Sequence, residues 1–349
     1  MIVSKKYIYS ILNELANVSD TIQIKYPPIG HLFSLWFGEK CKLKFLPEAD
    51  YRKMREGFLR IKKGAIPDKE IPLGNDFRTC LYASGIIQSD TQEELNDIIS
   101  EGIERNLLKG KKPLFIGYDT NALSDRLNRK IEEIIALKTR NNKPQIGYCL
   151  SEGVEKELQD NLDKKYDFED LKKLKLPCMG FTNKFINQPP KKSRMAYLGA
   201  VEFKKILANP NCELIDTDRK GDEAIVNSYK KYEKAHDVEL LLLTGDNNFT
   251  SRAQTQRIRT LYMKKPSALQ NSEPIYCEYK NLCELIFCTA IIFGYIEFGG
   301  IEIYGIWKGK TSEDWDAERL NIEIKDAEIK KKVKRDLQVI ETAERALSE

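Results

Sequence analysis

Four acidic residues stand where an α/β chain places its chemistry. Asp119 follows the apolar run "LFIGY", with Asn121 two places on in "GYDTNAL". Glu157 lies in "VEKEL", on a stretch of helical spacing after "IGYCLS". Asp222 opens a helix in "GDEAIV", and Asp246 follows "LLLLTG". The strands of a parallel sheet share one carboxyl edge, and open α/β folds place their sites along it. Four acids from four elements can therefore meet in one crevice. Carboxylates held close together raise one another's pKa, and a divalent cation relieves that repulsion. Oxygen ligands without histidine suit Mg²⁺ or Mn²⁺ better than zinc. Such a site can polarise a phosphodiester, activate a water and clamp the leaving oxygen. Each acid also has a plainer role. Asp119, Asp222 and Asp246 can be helix caps or turn residues. Glu157 can be a solvated helix residue, with Glu152 and Glu155 as alternatives for its place.

The elements that must position these acids can be read from hydrophobic spacing. "KPLFIGYD", "PQIGYCLS", "CELIDT" and "DVELLLLTGD" read as short buried strands. Between them lie helical patterns in "ALSDRLNRKIEEIIALKTR", "EGVEKELQDNL" and "GDEAIVNSYKKYEKAH". Strands alternating with helices predict a parallel α/β sheet with right-handed crossovers. After 250 a polar helix candidate is followed by "PIYCEY", another strand, and the α/β domain is expected over 111–275. Residues 1–110 read as a mainly helical extension, with helices at 4–17, 49–63 and 90–108. The 276–349 region reads as a buried helix in "NLCELIFCTAIIFG", a β-hairpin in "YIEFGGIEIYGIWKGK" and a terminal amphipathic helix.

Composition narrows the chemistry. The chain has 349 residues and a net charge of only +4, too small to imply nucleic-acid binding without local clustering. Two histidines, His31 and His236, nearly exclude histidine-rich metal centres. The eight cysteines include no C-x-x-C pair and read as buried thiols, and Cys277, Cys283 and Cys288 lack the spacing of common zinc motifs. No signal peptide is visible and no run of about 18 apolar residues occurs, so a cytoplasmic chain without a membrane span is expected.

The ordered motifs "FIGYDTNAL", "VEKEL", "GDEAIV" and "LLLTGDNNF" resemble those of the PIN-domain family of metal-dependent ribonucleases, over about residues 113–260. The resemblance implies a parallel α/β/α sandwich and Mg²⁺- or Mn²⁺-dependent cleavage of RNA. It makes Asp119, Glu157, Asp222 and Asp246 the catalytic, metal-binding acids. Asn121 and Thr244 would help hold the site, Asn248 would stand at a further polar position, and Asp218 would assist near the third motif. Family members often form homodimers. This chain departs from the smaller members in its long flanking regions, in the long Glu157–Asp222 gap and in lacking a cysteine knuckle.

A nuclease site made of acids needs positive charge around it. "TSRAQTQRIRTLYMKKP" supplies Arg252, Arg257, Arg259, Lys264 and Lys265 without an acid. "NKFINQPPKKSR" is similarly basic, and Arg126, Arg129 and Lys130 follow Asp119. Tyr262, Phe249 and Trp307 are candidates to stack on single-stranded bases. The leading expectation is therefore a metal-dependent endoribonuclease acting on single-stranded RNA. One alternative is an inactive RNA-binding or scaffold protein of the same fold. Another is a phosphoryl-transfer enzyme with a nucleophilic Asp119, although that chemistry wants a second acid where Asn121 stands.

Overall fold

The computed structural model describes residues 1–61, 68–105, 107–139, 146–166, 169, 171, 183–266 and 273–348. Cys178, most of the lysine-rich 167–182 stretch and the ends of two expected helices, at 62–63 and 106, lie outside the described residues. In chain order the strands are β1 (Ile2–Ser4), β2 (Thr21–Tyr26), β3 (Gly30–Trp36), β4 (Cys41–Phe45), β5 (Leu114–Tyr118), β6 (Ile146–Ser151), β7 (Cys212–Ile215), β8 (Glu239–Thr244), β9 (Arg259–Tyr262), β10 (Ile275–Cys277), β11 (Tyr295–Phe298), β12 (Ile301–Tyr304) and β13 (Arg319–Ile324). The chain forms two compact units: Met1–Ile86 with Lys165–Lys191 and Ala268–Glu349, and Ile87–Lys164 with Lys192–Ser267.

The second unit holds the expected parallel sheet. Its order is β7-β6-β5-β8-β9, and every neighbouring pair is parallel. All six residues of β6 are buried, and so are the last five of β8. Continuous apolar strands of this kind are what a parallel sheet covered on both faces requires. The connections from β5 run one way to β6 and β7, and the later ones run the other way to β8 and β9. The strand order thus reverses between β5 and β8, where a doubly wound sheet opens its crevice. Gly117 makes room at that reversal. A Cβ there would fall 2.5 Å from Leu242 and 2.8 Å from the Tyr229 ring. The fifth strand is β9, inside the run read above as basic. β10, the "PIYCEY" strand, joins the other unit.

The expected amino-terminal helices form at Ile8–Ala16, Glu48–Ile61 and Gln92–Ile103, but the first unit adds strands that the expectation of a mainly helical extension left out. β2, β3 and β4 form an antiparallel meander there. The pattern in "TIQIKY" is a strand's: exposed and buried residues alternate along it. The meander belongs to an eight-stranded sheet of order β1-β13-β12-β11-β2-β3-β4-β10. Residues 1–86 therefore share a core with the carboxyl-terminal region, and the boundaries expected at 110 and 275 give way to a discontinuous unit. The hairpin around Gly299 and Gly300, the buried helix Tyr279–Phe293 and the terminal helix Ala327–Ser348 form as read. Among the described residues no helix is long and apolar enough to cross a membrane.

Candidate active site

β5 passes directly into the short helix Thr120–Ser124, and Asp119 is the hinge between them. The Tyr229 hydroxyl fixes the end of the strand. It donates to the Tyr118 carbonyl at 2.8 Å and accepts from the Tyr118 N–H at 3.2 Å. The Asp119 N–H donates to the Leu243 carbonyl at 3.2 Å, which registers β5 against β8. The Asp119 carboxylate caps the helix by accepting from the Ala122 N–H, and also accepts from the Thr244 hydroxyl. It is 4% exposed. Burial pushes its carboxyl up to about 7. The bonds from Thr244 and Ala122 offset part of the rise, and the charges of Asp125 and Asp246 add to it.

Thr244 couples the first acid to the last. While its hydroxyl donates to Asp119, it accepts from the Asp246 N–H at 2.9 Å. Asp246 in turn caps the helix Asn247–Thr255, accepting from the Asn248 N–H at 2.7 Å. Asn248 thus contributes its backbone, and its side chain is exposed. Asn121 is also exposed and packs beside Gly245, where a Cβ would come within 3.4 Å of it.

Glu157 reaches the same edge through a neighbour of Asp119. The Thr120 hydroxyl donates to its carboxylate at 2.6 Å. Half-burial raises the Glu157 carboxyl, the Thr120 bond lowers it, and the Asp222 and Asp160 charges raise it further. Glu152 instead pairs with Lys156 at 2.9 Å, which favours Glu157 for the site. Asp222 is the first residue of the helix Asp222–His236 and meets Arg252 at 2.8 Å. Asp218 is exposed, pairs with Lys231 at 2.9 Å and makes no bond to the other four acids among the described residues.

The acids thus share an edge without collapsing together. Among the described residues no group of three or more His, Cys, Asp or Glu side chains could hold a metal ion as placed. The donor chemistry nevertheless suits a hard divalent cation. Asp119, Glu157 and Asp246 have no ion pair among the described residues, and burial and neighbouring negative charge raise two of these carboxyls.

Several residues that do not stand out in the sequence also build this edge. Asp125, six places after Asp119, is 2% exposed and pairs with Lys265 at 2.6 Å. Thr120 holds Glu157. Ser151, the last residue of β6, and Thr217, two residues past β7, share a 2.6 Å bond and both accept from the Gly153 N–H at 3.2 Å, capping the helix that carries Glu157. The visible signal was a hydroxyl or acid closing each apolar run.

The basic residues scatter. Arg252 and Lys265 stand at the acidic edge, each paired with an acid, and Lys264 is exposed after β9. Arg259 opens β9 and meets Glu239, the first residue of β8, at 2.6 Å, so it lies at the opposite, amino edge. Arg257 precedes it in a left-handed turn. Arg126 corrects its assignment to a nucleic-acid face. It is 1% exposed, breaks the expected helix with φ 57°, and pairs with Glu202 at 3.0 Å. Phe249 and Trp307 are buried in their units, and Tyr262 is half-buried. No protein-family model, curated protein or solved structure matches the chain.

Proposed function

We propose that this chain is a metal-dependent endoribonuclease of PIN type, hydrolysing single-stranded RNA at the acidic edge of its parallel sheet. The observation that carries this reading is the Thr244 hydroxyl, which joins Asp119 to Asp246 across the strand-order reversal while Thr120 brings Glu157 alongside. Mg²⁺ or Mn²⁺ held by Asp119, Glu157, Asp222 and Asp246 would supply a polarised phosphate and a water activated for attack. The chain's own work is orientation. Thr244 and Ala122 fix the Asp119 carboxylate, Thr120 fixes Glu157, and Arg252 and Lys265 offset the repulsion between the acids and an incoming phosphate.

The test is a cleavage panel of labelled RNA and DNA with Mg²⁺, Mn²⁺ or EDTA, on the wild type and Asp119→Asn. Cleavage of RNA that needs the ion and vanishes in the variant is expected. Equal cleavage by the variant, or in excess EDTA, overturns the reading.

A second reading has its own support. The Arg252–Asp222 pair at 2.8 Å already neutralises one of the four acids, as suits an inactive binding protein that keeps this architecture. Calorimetric titration with Mn²⁺ separates the two. Absent heat alongside intact RNA binding selects the binding protein.

A further inference from the structure

The helix Asp222–His236 carries a feature that the acidic edge does not use. An open groove of about 630 Å³ runs beside it, lined by Arg219, Asn227, Lys230, Lys231, Lys234 and Gln256. Asp216 and Asp218 close its wall just beyond the carboxyl end of β7, and the helix itself begins with Asp222. The helix residues that line the groove run from Ala224 to Lys234, a rise of about 15 Å, which is long enough for more than one phosphate.

The charges along it are unevenly committed. Lys231 pairs with Asp218 at 2.9 Å, and Lys230 with Glu233 at 2.5 Å. Arg219 and Lys234 are exposed and have no hydrogen bond or ion pair among the described residues. Asn227 and Gln256 bond each other at 2.8 Å and hold amide groups at the rim. Two exposed cations without an ion pair, beside two paired lysines on an open, polar groove, match an extended polyanion better than a small enclosed ligand. A compact anion would need its counter-charges gathered at one point.

We infer that this groove binds the phosphate backbone of single-stranded RNA and leads it to the acidic edge. The identity of the polymer rests on the ribonuclease reading; the groove's affinity for a polyanion does not.

The test is fluorescence anisotropy of a labelled oligoribonucleotide in EDTA, across a salt series, with Arg219→Ala/Lys234→Ala beside the wild type. Two lost phosphate contacts on a single strand reduce the slope of log affinity against log salt by about 1.4, and affinity at low salt falls roughly tenfold. An unchanged slope and affinity, in a variant whose circular dichroism matches the wild type, overturns the inference. So does a mononucleotide that competes as well as the polymer. Lys234→Glu weakens binding further if the groove is the track. The outcomes separate from those of the active-site reading. RNA that binds through Arg219 and Lys234 but is never cut removes the nuclease and keeps the groove. RNA that is cut while the double variant binds normally does the reverse.

Discussion

At the amino end of the parallel sheet, Glu239 meets Arg105 at 2.8 Å and Arg259 at 2.6 Å, and Lys112 meets Asp237 at 2.5 Å. At the carboxyl end, Asp119, Glu157 and Asp246 meet hydroxyl and backbone donors, with no cation paired to them among the described residues. Similar residue types serve opposite purposes at the two ends. Burial pushes Glu239 upward, but bonds from Arg259 and Arg105 outweigh it and hold the carboxyl below its ordinary range. Burial pushes Asp119 up to about 7, and its neighbours are further acids. Charge satisfied within the fold stabilises the fold. Charge left unsatisfied in a crevice at the strand-order reversal is what the proposed metal site would draw on.

Neutralising one acid at each end separates their roles most strongly. Asp119→Asn is expected to reduce metal-dependent RNA cleavage by about 100-fold or more, since even outer partners of a metal site are worth about 10–100-fold. Glu239→Gln is expected to leave cleavage within about twofold. It should cost roughly 3 kcal/mol in urea denaturation, because Arg105, 4% exposed in its side chain, loses its closest counter-charge. If Glu239→Gln is the variant that loses cleavage, the two ends have been assigned the wrong way round.

Thr244→Val tests the bridge itself. The substitution keeps the shape and removes the hydroxyl that Asp119 and Asp246 share. A roughly tenfold loss of cleavage is expected, with a stability loss of about 1–3 kcal/mol from the buried groups left unsatisfied. A loss of stability with no change in cleavage would reduce Thr244 to a structural residue.

How much of this edge could be read in advance follows from what is local. Asp119 and Asp246 were legible because a buried parallel strand is a continuous apolar run, and an acid closing it is conspicuous. Asn121, Thr244 and Asn248 came with them by adjacency. Asp125 was hidden because its partner, Lys265, follows β9, far along the chain. Arg126 was misread for the same reason. "RLNRK" looks like a solvated basic face until Glu202, 76 residues on, takes the guanidinium into the core. β2 to β4 carried the alternation of strands, yet their partners β11 and β10 lie more than 200 residues later. Long-range pairing decided the unit boundaries, and nothing in the local pattern announces a core assembled from both ends of the chain.

Lys265→Gln probes the Asp125 pair. Asp125 is 2% exposed, and losing its cation should cost about 1–3 kcal/mol. The variant should also raise the Asp125 carboxyl further, since burial already lifts it and Lys265 holds it down. Less negative charge would then face Asp119. A modest shift in the pH profile of cleavage is expected, and an unchanged profile would show that Asp125 acts on packing alone.

The prediction most specific to the contrast between the ends is the dependence of stability on pH. Asp119 has a folded-state carboxyl near 7 against an ordinary value of 3.8. Between about pH 4 and 7 the folded chain therefore keeps a proton that the unfolded chain has released. Stability contributed at this position falls as pH rises through that window and is level above it. Glu239 has the opposite sign. Its lowered carboxyl favours the folded chain above its ordinary range, and that contribution is lost as pH falls. Thermal unfolding in EDTA should accordingly show Asp119→Asn gaining on the wild type from about pH 4 to about pH 7. Glu239→Gln should lose least in acid and most at neutral pH. Added Mn²⁺ should narrow the advantage of Asp119→Asn at neutral pH, because an ion bound only by the folded wild type favours it. If the Asp119→Asn advantage is the same at every pH, Asp119 is not a strained carboxylate. The edge would then be a row of helix caps, as satisfied as the ion pairs at the other end of the sheet.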